Sequence, residues 1–181
     1  MYKKYLLPLL AGALFVSTVS HVQATDTGTI NFTGRIVADT CEVYINGATT
    51  NGTVTFRNIS QTAFGADKKV GDAQPFTITV KNCDSNISFL NIKFNGDRIT
   101  GYGEEVLQPT GTANNVGVRV LPAGSPNYIK FDGTEPLIAS KQFLTGSDTI
   151  FNYSAEVIQV GSALPTAGEY NATAAYTLTY R

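Results

Sequence analysis

The end of the chain alternates without interruption. Tyr170, Ala172, Ala174, Tyr176, Leu178 and Tyr180 fall on one face of an extended strand, and Asn171, Thr173, Ala175, Thr177 and Thr179 fall on the other. A strand of this length has two edges, and each must be paired or it becomes a sticky template for another chain. No sequence that could supply the next strand follows Tyr180, which leaves one edge of this strand without an evident partner.

The rest of the sequence is also β in character. Thr, Val, Ile, Tyr and Phe recur in short runs, and Gly, Asn, Asp and Pro interrupt them. Strands are predicted over residues 29–37, 42–45, 53–57, 76–81, 87–94, 116–121, 128–131, 149–160 and 168–180, with a Gly-, Thr- and Asn-rich surface loop over 101–115. No segment keeps a helical period. Many short strands at this spacing predict an all-β sandwich in one domain, with no repeat and no second domain.

The start of the chain belongs to a different class. Lys3 and Lys4 precede an apolar run from Tyr5 to Val16, and Val22, Gln23 and Ala24 supply a small-residue cleavage pattern. This is a secretory signal peptide over residues 1–24. The run is too short for a membrane span, which needs about 20 residues. Cleavage would leave 157 of the 181 residues and move the net charge from −1 to −3, because Lys3 and Lys4 leave and no acid precedes Asp26. An acidic chain without a basic face argues against a nucleic-acid partner.

Cleavage also removes His21, the only histidine, so Ser-His-Asp and Cys-His catalysis and His-ligated zinc are excluded in the exported chain. The two cysteines, Cys41 and Cys83, form an even pair in an oxidising compartment and predict one disulfide rather than two free thiols. Glu104 and Glu105 are adjacent in a Gly-rich loop and read as solvated charges rather than a catalytic pair. Five Asn-X-Ser/Thr matches, at Asn31, Asn58, Asn86, Asn152 and Asn171, are expected by chance in so Thr- and Asn-rich a chain. No cofactor, metal or small-molecule substrate is expected.

The N-terminal part of the exported chain has its own pattern. Ile30, Phe32, Gly34, Ile36 and Ala38 share one face, and Asn31, Thr33 and Arg35 share the other. A glycine in the middle of an apolar strand face often marks the close approach of another backbone. Read alone, this is simply a first strand of the sandwich.

Taken together, the signal peptide, the segment GTINFTGRIV at 28–37, Cys41 shortly after it, Cys83 some 40 residues on, NVGVRVL at 115–121, Gly168 fourteenth from the end and the penultimate Tyr180 resemble the type 1-like fimbrial subunits of the chaperone–usher pathway. The resemblance covers the whole exported chain. It implies an incomplete immunoglobulin-like β-sandwich lacking its last strand, completed by a donor strand from a neighbouring subunit. It implies residues 25–38 as the donor extension, with Ile30, Phe32, Gly34 and Ile36 facing a neighbour's groove, and residues 39–181 as the pilin domain. It also implies that the C-terminal strand, with Gly168, Tyr170, Ala172, Ala174, Tyr176, Leu178, Tyr180 and Arg181, borders the acceptor groove and binds a chaperone.

The function so implied is a structural subunit that polymerises by donor-strand exchange into an adhesive surface fibre. The implied partners are copies of itself or other fimbrial subunits, a periplasmic chaperone and an outer-membrane usher. A minor tip or adaptor subunit, or an adhesin binding a host glycan, is the alternative. The donor-like segment lies so close to Ala24 that no receptor domain fits before it, which favours a shaft or adaptor subunit.

Overall fold

The computed structural model describes residues 29, 31–33, 41–84, 87, 89–134 and 148–180. The chain divides into two units, Met1–Arg35 and Ile36–Arg181. In the first, the described residues Thr29, Asn31, Phe32 and Thr33 are exposed, and Phe32 is 90% exposed despite its apolar ring. The signal peptide, Ile30, Gly34, Ile36, Arg181 and the expected boundary at 38/39 lie outside the described residues.

The second unit carries the strands: β1 (Glu42–Ile45), β2 (Val70–Lys81), β3 (Leu90–Asn95), β4 (Thr110–Gly111), β5 (Val116–Pro122), β6 (Thr149–Gln159), β7 (Tyr170–Asn171) and β8 (Ala175–Tyr180), with one 3-10 turn at Gln61–Ala63. All pairs are antiparallel. One sheet has the order β1-β2-β6-β5, while β3 pairs with β8 and β4 with β7. The alternation of β6 shows why the sequence folds this way. Phe151, Tyr153, Ala155 and Val157 are buried, whereas Ile150 and Asn152 point outward. Phe151, Tyr153 and Ala155 meet Ile78 and Val80 of β2, Val118 and Val120 of β5, and Leu90, Ile92 and Phe94 of β3 in a single core.

Cys41 and Cys83 are bonded, with a Cα–Cα distance of 4.3 Å. The bridge sits where β1 and β2 begin and end side by side, since Glu42 pairs with Lys81.

Three expected strands come out differently. Residues 128–131 make no ladder, because their amides go to separate partners: Ile129 N–H donates to the Val120 carbonyl and Phe131 N–H to that of Glu104. Residues 168–180 divide into β7 and β8 because the run changes partner. It follows β3 as far as Asn95, opposite Ala175, and then meets β4 at Tyr170. At the crossing, Gly96 passes so near that a side chain there would lie 2.9 Å from the Thr173 carbonyl oxygen. Residues 53–57 have the burial alternation of a strand, with Val54 and Phe56 half-buried and Thr53, Thr55 and Arg57 exposed, but no ladder.

The candidate acceptor groove

The unladdered segment and the C-terminal run face each other across a groove. Among the described residues, no backbone–backbone hydrogen bond involves residues 51–59 or 172–174. Backbone polar groups in extended chain are costly to leave unpaired away from water.

One section of the groove has a volume of about 480 Å³ and is walled by Thr50, Val54 and Phe56 on one side and by Ala172, Ala174 and Tyr176 on the other. Its floor is the buried core itself: Ile78, Phe94, Leu107, Val118, Val120 and Phe131. A second section, about 700 Å³, continues between residues 53–61 and 165–171. The sections share Thr53, Val54, Phe56, Tyr170 and Asn171. Where they join, the Phe56 and Tyr170 rings approach to 6.1 Å between centroids.

The expected C-terminal residues take different places. Tyr170, Ala172, Ala174 and Tyr176 line the groove. Tyr170, Ala172, Tyr176, Leu178 and Tyr180 pack against the core and are only half-buried, which is little cover for an apolar face. Gly168 contributes no side chain; a Cβ there would lie 2.6 Å from the Ala113 amide nitrogen, so the glycine lets the start of the run pack on Thr112 and Ala113. Burial pushes the Tyr170 phenol up to about 12, so the ring lies in the groove as a neutral group.

Sequence reasoning missed the groups that hold the other wall. Asp72, on β2, has a side chain only 2% exposed and accepts hydrogen bonds from the Arg57 backbone N–H at 3.0 Å, from Arg57 Nε at 3.0 Å and from Gln74 Nε2 at 2.8 Å. Arg57 Nη2 completes the ion pair. The Arg57 hydrogen bonds hold the Asp72 carboxyl well below the usual carboxylate range. At either end a side chain reaches across the groove. Tyr176 donates its hydroxyl to the Thr50 carbonyl at 2.8 Å, and Gln61 Nε2 donates to the Pro165 carbonyl at 2.7 Å. Among the described residues, no cluster of His, Cys, Asp and Glu could hold a metal ion.

The fold is an incomplete immunoglobulin-like β-sandwich with an open groove, and solved structures of pilus subunits share it. The P pilus rod subunit PapA superposes with a TM-score of 0.63 at 23% identity, over 78% of this chain and 99% of that one. A subunit from the structure of a chaperone–usher pilus gives 0.66 at 22% identity, over 92% and 100%. In sequence, the fimbrial-like protein SfmA of Escherichia coli K12 is 29% identical over 99% of both chains. The family profile described as fimbrial protein matches residues 30–181, and the chain belongs to that family. It is a type 1-like structural subunit of a cell-surface fimbria and not an enzyme.

Proposed function

We propose that this subunit polymerises by donor-strand exchange: residues 25–38 of one copy, or of another fimbrial subunit, fill the groove between residues 50–61 and 165–176 of the next. The observation that carries this reading is the pair of extended walls with unladdered backbone facing each other over a buried apolar floor. Backbone bonds to both walls would supply affinity, and alternate side chains in the floor would supply specificity. Ile30, Phe32 and Ile36 are the side chains offered, and burying them contributes roughly 5–9 kcal/mol before entropy costs. Phe32, exposed in its own chain, is available for this use.

In this reading Gly34 crosses the groove at the contact between Phe56 and Tyr170, with Phe32 on one side and Ile36 on the other. Before assembly, a periplasmic chaperone covers the groove along the C-terminal strand and the Arg181 carboxylate, and an outer-membrane usher hands the subunit to the fibre.

Gly34→Val tests the assignment. The variant keeps its own groove, so it should still form a chaperone complex and still accept a donor. Its bulk over the Phe56–Tyr170 rings would lift the donated backbone off both walls, so surface polymer should stop at the variant when it is the sole copy. Polymer of normal length would rule out Gly34 as a donor position.

A further inference from the structure

The three links across the groove share one register. Tyr176 touches Thr50, Tyr170 touches Phe56 and Gln61 touches Pro165. The two residue numbers in each of these pairs have the same sum. From Thr50 to Phe56 and from Tyr170 to Tyr176 the two walls are related as antiparallel neighbours in step, and the Gln61–Pro165 bond closes the register beyond them from the 3-10 turn. Val54 faces Ala172 in the same register, and both line the groove. The walls therefore behave as neighbours in an antiparallel sheet from which the strand between them has been removed.

The width fits that description. Two inter-strand spacings amount to about 10 Å. A tyrosine laid across the gap, with a hydrogen bond of 2.8 Å at its tip, covers about that distance. Tyr176 is directly opposite Phe94 of β3, whose ring is buried, so its own ring lies on the core side and forms part of the floor. A strand laid over it would keep its backbone free to bond both walls.

Resting on the donor-strand reading above, we infer that the Tyr176 hydroxyl and the Gln61 amide are positioning groups that hold the empty groove at the width of one strand, so that a donor meets walls already spaced for it. The segment 51–59 has no ladder of its own to fix that spacing. A preformed site lowers the ordering cost of binding. Once the donor is seated, its own two ladders hold the walls and the spacers matter little. Their effect belongs to association, not to dissociation.

The test uses the exported chain, residues 25–181, dilute enough to be monomeric, and a labelled peptide of residues 25–38. Tyr176→Phe keeps the ring and removes only the hydroxyl, and Gln61→Met keeps the length and removes the amide. Each should slow peptide association by about three- to ten-fold, the equivalent of one net hydrogen bond, with an unchanged dissociation rate and an intact disulfide. Tyr128→Phe, which removes a hydroxyl bonded to Glu156 outside the groove, should change neither rate. Unchanged association in Tyr176→Phe and Gln61→Met would overturn the spacer role while leaving donor binding intact. Faster association would also overturn it, since the groups would then be latches that hold the groove shut. A wild-type chain that does not bind the peptide would overturn the donor-strand reading and the spacers with it.

Discussion

Asp72 holds a groove wall with a side chain where a ladder would otherwise hold it. Its carboxylate fixes Arg57 through both backbone and side chain, and among the described residues no backbone–backbone hydrogen bond ties that segment to the sheet. Asp72→Asn keeps the shape but loses the charge, and should lower the stability of the domain by about 1.5–3 kcal/mol, the range for hydrogen bonds to a charged group. Denaturant titration checks it.

The same group gives the domain a pH dependence. Its folded pKa is depressed, so its contribution is complete above the unfolded carboxylate pKa of about 4 and is lost as the pH falls from there through the folded value. The wild type should lose stability on acidification below about pH 4, and Asp72→Asn should lose less. None of this was legible in the sequence. Asp72 and Arg57 are ordinary surface residue types, and only the fold brings them together. The cysteine pair was legible, because export and an even count leave few alternatives.

At the scale of elements, strands with strict alternation and a buried face were legible close to their observed bounds: β1, β5 and β6 all coincide with the expected runs to within a residue. Those that failed did so for one reason. A ladder needs a partner strand, and pattern alone cannot say whether one exists. Residues 53–57 and 172–174 have a strand's pattern and lie extended beside a gap. The division of the C-terminal run at Ala172 follows from Gly96 and a change of neighbour, which no local signal announces.

The disulfide acts at this scale too. It joins the residue before β1 to the region after β2 and closes a loop of sequence separation 42. In the chain-entropy model that is worth on the order of 4 kcal/mol. Replacing both cysteines by serine should lower the unfolding midpoint accordingly while leaving the β1–β2 pairing in place. Hydrogen exchange at Val43 and Ile45 would report its loss if the bridge were required for the pairing itself.

At the scale of the whole molecule, the subunit is a sandwich whose core is roofed on most sides and open along one. Ile78, Val118 and Phe131 form the floor of that open groove, between walls that are only half-buried. Covering it should lock both walls to the rest of the fold, so occupancy and stability are one quantity, linked by mass action. Thermal unfolding of the monomeric exported chain, with and without excess peptide of residues 25–38, measures that link directly. The melting temperature should climb with peptide concentration, and should not rise with a peptide in which Ile30, Phe32 and Ile36 are replaced by serine. A melting temperature that does not change with the native peptide would contradict the donor-strand reading.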